Sequence, residues 1–535
     1  MMDRQRGSLW HFSRPNRWQL TLGLIFLFSL LVRFWGIGRF NTLVFDEVYF
    51  AKFANNYLTQ TPFFDAHPPL SKYLIAVGIW VGSHLPIGWD TTNEALGSLR
   101  TTFSYRWLNA FVGSFIPLVL GAIAWELSRN WRLATIAAAL LALDGLFLVE
   151  SRYGLNNIYL VIFGLLGQLC FLKVLSTFAP QENLSQHAET PEKYLAKNRR
   201  AWFTLAGIFL GATVSIKWNG AGFWFVPWSF WAIAKIHHGW THRQSPHPPS
   251  PPEPDLSLDL LPTKTLLPTK NWRSPLNNLA QISIGHMGLY LTLIPMVLYS
   301  WLWIPHLQLN PDRNLWDLNV AMFNVHANLD GGQTIHPYCS PWYSWPILLR
   351  PLAYFYARVT NPNAPLNYDN LKPKLPPGTD YAIFDVHAMG NPILWWLSVV
   401  ALVLAAITLG NYLWQRWRTP DSTPPTPLSN NACFLIFTLG NYGGNLLLWL
   451  RVTRCTFLYH YMGALTFALL TLAWFINRGL EHRDRYWRWW GAIALTAIAV
   501  GFIFWLPIYL GLPISQRDWN IRIWNFGRPW LPNWI

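Results

Sequence analysis

Apolar runs long enough to cross a bilayer recur along the whole of this chain. A transmembrane helix needs about 20 predominantly apolar residues, and on that criterion the pattern predicts about eleven helical spans. They lie near residues 19–36, 105–127, 132–149, 155–175, 202–216, 218–234, 283–304, 393–414, 432–450, 456–476 and 489–510, the fifth and sixth being short and nearly continuous. Two segments between them are long, 37–104 and 305–392. Both mix Trp, His, Asp and Pro with apolar residues, which predicts folded structure rather than slack connection. Short interfacial helices are expected in the first, where 70–84 (LSKYLIAVGIWVGSH) is too short to span. The stretch 236–282, with its HRQSPHPPSPPEPD segment and repeated LPTK, reads as a flexible cytoplasmic linker. The pattern therefore predicts one all-α polytopic membrane domain.

Composition agrees. Only 12% of the 535 residues are charged, about half the share in a soluble domain, and the 34 Trp cluster near the ends of the apolar runs, where rings suit the headgroup layer. The formal charge of +15 is scattered between spans and forms no continuous patch, so nucleic acid is excluded as a partner. Basic residues are about twice as dense in alternate loops, which predicts a cytoplasmic N-terminus and places both long segments outside. The chain begins with Arg4, Arg6, Arg14 and Arg17 before an apolar run that lacks a small-residue cleavage site, so that run reads as a retained first span. The four cysteines show neither CxxC nor metal-ligand spacing; Cys339 and Cys455 could meet outside.

The chemistry gathers in the first long segment, in FDEVYFAKFANNYLTQTPFFDAHPPLSKYL (45–74). Asp46 and Glu47 stand among aromatic and apolar residues, where an ionised carboxylate is costly unless it is used or paired. Arg33 lies inside the first apolar run, where a charge is equally costly.

Arg33, then the FDE triplet, then FFDAHPPLSK resembles the first outer loop of the protein O-mannosyltransferases. Arg106 in YRWLNAFVGS, DGLFLVESRYGLNN (144–157), VSIKWNG (214–220), HPYCSPWYSWPILLRP (336–351), GNPILWW (390–396) and RCTFLYHYMGAL (454–465) resemble later landmarks of the same family, in order, over nearly the whole chain. The absence of room for a β-trefoil domain in the second long segment points to the bacterial type. Asn156 stands where many members have Asp.

The resemblance implies a GT-C architecture in a prokaryotic plasma membrane. It also implies transfer of mannose, with inversion, from a polyprenyl-phosphate donor lipid to Ser or Thr of proteins at the outer face. A Ser hydroxyl needs a base, a role assigned to Asp46, with Glu47 orienting acceptor, sugar or a cation. The leaving phosphate needs positive charge: Arg106 first, with Arg33, Arg454 and Lys72 in support, Arg33 alternatively pairing with Glu47. His67, His336 and Tyr338 are candidates for binding substrate. No cofactor is required on this reading; a divalent cation is conceivable at Asp46 and Glu47, but no third ligand at a recognisable spacing completes a metal site. Two other readings remain: a related GT-C enzyme with a lipid or glycan acceptor, and a transporter, which paired repeats with charges at mid-membrane would favour.

Overall fold

The computed structural model describes residues 17–178, 191–244, 272–331, 335–363, 366–367, 380–418, 427–526 and 531–535. Arg4, Arg6, Arg14 and most of the predicted linker lie outside the described residues. The described parts of that linker are helical at both ends, 236–244 continuing a long helix and Pro275–Gln281 forming a 3-10 turn.

Every predicted apolar run is helical. The first run is α1 (Arg17–Phe34); the first long segment then holds a short strand, β1 (Phe40–Asn41), and two helices, α2 (Glu47–Leu58) and α3 (Leu70–Ser83). These are the expected short helices. After a small ribbon, β2 (Thr92–Asn93) with β3 (Arg100–Thr101), come α4 (Trp107–Ser128), α5 (Trp131–Ala142), α6 (Gly145–Arg152), α7 (Asn157–Ser176), α8 (Pro191–Ile216) and α9 (Ala221–Gln244). The pair α5 and α6 is bent by 59°. Asp144 causes the break: its side chain caps α6 by accepting from the Phe147 amide at 3.0 Å, a bond that starts a new helix rather than continuing the old one.

α10 (Ile284–Gly288), α11 (Ile294–Leu302) and α12 (Ile304–Leu309) form one rod, with a π turn between the first two, and α13 (Leu315–Asn328) follows. The second long segment then carries β4 (Leu352–Val359), β5 (Leu366–Asn367) and β6 (Ala382–Ala388). β4 and β6 pair antiparallel, a ribbon that the all-helical reading did not foresee, while β5 pairs parallel with β1 and so ties the two long segments together. α14 (Pro392–Arg418), α15 (Asn430–Leu446), α16 (Met462–Glu481), α17 (Arg485–Leu510) and α18 (Gln516–Arg522) complete the chain.

Among the described residues seven helices are long and apolar enough to cross a membrane, or eight with the bent pair taken as one; the count of eleven stays an expectation. α16 is the axis: its span is buried throughout, packed against α5, α14, α15 and α17. The α10–α12 rod is only 22% buried and lies at the periphery. Cys339 and Cys455 do form a disulfide, with Cα atoms 5.2 Å apart, which fastens the second long segment to the residues leading into α16.

Candidate functional site

Asp46 sits at the start of α2, held there by its neighbour. Glu47 is fully buried, and its carboxylate accepts from the Val44 amide at 2.8 Å, the Gly154 amide at 2.8 Å, and Arg106 Nε and Nη2 at 2.9 and 2.7 Å. Gly154 has to be glycine for this: a Cβ there would lie 2.7 Å from the Tyr105 carbonyl oxygen. Phe45, between these fixed points and Asp46, adopts a left-handed φ of 50° and stacks on Tyr354 at 4.4 Å. A bulky residue pays for that conformation only where the surroundings enforce it. The result is a turn that presents the Asp46 carboxylate without engaging it as a cap of its own helix.

Asp46 is partly exposed and faces Lys217, Asp65 and Tyr459. Burial pushes its pKa up to about 6; the positive charge of Lys217 and a hydrogen bond from Tyr459 oppose that shift, and the negative charge of Asp65 adds to it. An acid tuned close to neutrality is suited to taking a proton during a reaction and releasing it afterwards.

Arg106 departs from the expected role. All five of its N–H donors are engaged: two by Glu47, and the rest by the carbonyls of Ile37, Phe40 and Thr42. None is left for a phosphate, so it anchors Glu47 and the loop instead. Glu47 is likewise enclosed by donors and does not face a substrate. Lys72 is similar, its ammonium taken by Asp65 and by the carbonyls of His67 and Pro68. Arg33 does not meet Glu47; it lies buried in α1 and donates to the backbone and side chain of Ser29. The guanidinium of Arg106 and the ammonium of Lys72 are thus taken by internal acceptors, whereas Arg33 engages only Nη1, its Nε and Nη2 being buried with no partner among the described residues.

Two cations do reach the site. Arg454 has a single hydrogen bond among the described residues, to the carbonyl of Cys455, and is only partly buried. Lys217, absent from the sequence candidates, stands at the break between α8 and α9, where Gly220 packs so tightly on the turn that a Cβ would lie 2.5 Å from the Thr213 carbonyl. Its ammonium lies 5.0 Å from the centroid of the Tyr459 ring and 3.4 Å from Asn157 Oδ1. The available signal was the VSIKWNG segment, a lysine in the short gap between two apolar runs.

His67 lies in the same cluster, stacked on Phe50 and on His326. Burial lowers its pKa well below the ordinary value, and the charges of Lys217 and Lys72 lower it further. His336 and Tyr338 are farther out. His336 rests on Phe457, a neighbour of Phe45, whereas Tyr338 turns toward His387 and Arg350. Asn156 is fully buried, and its side-chain amide has no partner among the described residues. Among those residues no three His, Cys, Asp or Glu side chains converge as a metal site.

Comparison with known proteins places this geometry. Residues 23–246 match the model of dolichyl-phosphate-mannose-protein mannosyltransferases, and residues 312–530 match that of the C-terminal four-span region of protein O-mannosyltransferases. A polyprenol-phosphate-mannose–protein mannosyltransferase of Mycolicibacterium smegmatis is 24% identical over 97% of this chain and 93% of its own length. Its counterpart in Mycobacterium tuberculosis is 24% identical over 100% and 93%. The fold also matches a chain of the Saccharomyces cerevisiae protein O-mannosyltransferase Pmt1–Pmt2 complex bound to the sugar donor, with a TM-score of 0.67 at 14% identity, covering 96% of this chain and 93% of that one. The two halves of the chain, matched in order by the two halves of one family, together with this fold, place it in the protein O-mannosyltransferase family, with the GT-C architecture.

Proposed function

We propose that this protein transfers mannose from a polyprenyl-phosphate carrier to Ser or Thr hydroxyls of proteins, with inversion at the anomeric carbon. The observation that carries the mechanism is the presentation of Asp46: a carboxylate with no capping duty, partly exposed, raised toward neutrality and facing the cation of Lys217, itself within electrostatic reach of Arg454. Asp46 takes the proton as the hydroxyl oxygen bonds to the anomeric carbon, and the bond from that carbon to the phosphate oxygen breaks. Negative charge then grows on the departing phosphate, where Lys217 and Arg454 stabilise it. They replace Arg106, Lys72 and Arg33 in that role and supply the positive charge without a divalent cation. His67 and His336 border the space for sugar and acceptor.

The names of the mycobacterial relatives support mannose, the polyprenyl-phosphate carrier and a protein acceptor over a lipid or glycan one. The disulfide beside Arg454 supports an outward-facing site in a plasma membrane, since such bonds persist outside the reducing cytosol. The test is transfer of radiolabelled mannose from synthetic polyprenyl-phosphate-mannose to a Ser/Thr-rich peptide, with wild-type and Asp46→Asn protein side by side. Label on the peptide with wild type alone supports both reaction and base. Equal labelling by both removes Asp46 from the role, and no labelling by either, with donor demonstrably bound, moves the acceptor to another class.

A further inference from the structure

α13 packs Leu318 and Met322 against Trp303, in a cluster that also takes in Phe64 and Trp218. It is therefore clamped both to the FFDAH segment and to the turn that carries Lys217. Its last turn delivers His326 to the site. The ring stacks on His67 with centroids 5.2 Å apart and lies 6.2 Å from the Trp218 ring.

His326 Nε2 stands 2.9 Å from the carbonyl oxygen of Ala66. A carbonyl only accepts, so Nε2 carries the proton and Nδ1 presents a bare lone pair. That Nδ1 is buried and has no partner among the described residues. Burial, and the nearby charge of Arg454, lower the pKa of the ring, which keeps it neutral at pH 7.

A bare imidazole nitrogen accepts hydrogen bonds and cannot donate them. It gains nothing from a phosphate oxygen, which is also an acceptor, but matches a hydroxyl. We propose that Nδ1 of His326 accepts a hydrogen bond from a hydroxyl of the sugar being transferred, so that His326 helps to determine which sugar the site takes. The proposal rests on the transferase reading above. With the phosphate between Lys217 and Arg454, the first groups beyond it are those of the sugar, and His326 is within electrostatic reach of both cations. A donor lacking the matching hydroxyl would leave a buried acceptor unpaired, and sites built this way discriminate strongly against such analogues.

The test compares kcat/KM of full-length wild type, His326→Phe and His326→Gln with polyprenyl-phosphate-mannose and its 2-, 3-, 4- and 6-deoxy analogues. Wild type should lose about tenfold or more on one deoxy donor, in line with one unpaired buried acceptor. His326→Phe should lose a similar factor on mannose and show no further loss on that same deoxy donor. His326→Gln, whose amide oxygen can accept, should fall between them. Phenylalanine can keep the ring contacts with His67 and Trp218 but loses the Nε2–H bond to Ala66, so a purely structural role predicts lowered turnover with the deoxy-donor discrimination unchanged, whereas wild-type turnover in His326→Phe overturns the proposal. So does a His326→Phe protein that still discriminates against every deoxy donor as wild type does. Should the Phe variant not fold, His326→Gln with the wild-type deoxy series carries the same comparison. Absence of any mannose transfer by wild type would instead defeat the transferase reading.

Discussion

Because Asp46 must be ionised to accept a proton, its raised pKa sets the working range. Below about pH 6 turnover should fall tenfold per pH unit, and above it turnover should level off, the limb belonging to a group that burial pushes up to about 6. Asp46→Asn should lower turnover by about 10² to 10⁴ and abolish that limb. Stability should move the other way. A carboxyl with a raised folded-state pKa binds its proton more tightly when folded, so its stabilising contribution is present below about pH 4 and is lost as pH rises through about 6. Asp46→Asn should therefore raise Tm at pH 8 more than at pH 4, read by thermal unfolding in detergent. The FDE triplet in apolar surroundings made Asp46 legible, because an acid in such a setting needs a use. The partner of Glu47 was not legible: which arginine reaches it depends on where α4 enters the loop, and spacing along the chain does not encode that convergence.

At the scale of elements, two fastenings hold the site together. The first joins the start of α2 to the start of α4 through Glu47 and Arg106, both fully buried. Arg106→Ala would strand the Glu47 carboxylate without its countercharge, a change that costs roughly 3–5 kcal/mol in buried pairs. The expected result is a large fall in Tm and in folded yield, with partial recovery in Glu47→Gln/Arg106→Met, where no lone charge remains. A phosphate-binding Arg106 would instead lower donor affinity with Tm intact. The second fastening is the disulfide. Ser340 and Thr456, each next to one cysteine, add a backbone bond of 2.8 Å and a hydroxyl bond of 2.7 Å, and Arg454 directly precedes Cys455. Cys339→Ser/Cys455→Ser should therefore raise the donor KM, as Arg454→Ala should, because the loop that aims Arg454 loosens. A rise of about tenfold corresponds to weakening one charge-assisted hydrogen bond. The helices were legible because apolar runs report their length directly. The β4–β6 ribbon was not, since aromatic residues and the low apolar continuity of 352–388 hid its alternation, and Lys217 was missed because a lysine between two spans looks like an ordinary interfacial residue.

For the whole molecule, the decisive question is which side of the membrane the site faces. Tyr459 lies just before α16 and Arg483 just after it. The 20 residues of α16 rise about 30 Å, close to the thickness of a hydrocarbon core. Arg483 and the site are therefore at opposite ends of the central helix, and the disulfide lies at the site's end. On the outward-facing reading proposed above, with the disulfide outside the cytosol, Arg483 is expected in the cytoplasm, as the density of basic residues between the spans also predicts. The experiment is made clean by the native cysteines, since Cys170 and Cys433 are buried and the other two are bonded to each other. Arg483→Cys, at an exposed position, should resist a membrane-impermeant maleimide in intact cells and react once the membrane is permeabilised. Tyr343→Cys, at an exposed position four residues from Cys339, should react in both. The reverse pattern would place Asp46, Lys217 and Arg454 in the cytoplasm, where the disulfide would not persist. The acceptor proteins would then have to be met before export, which the outward-facing reaction proposed here does not allow.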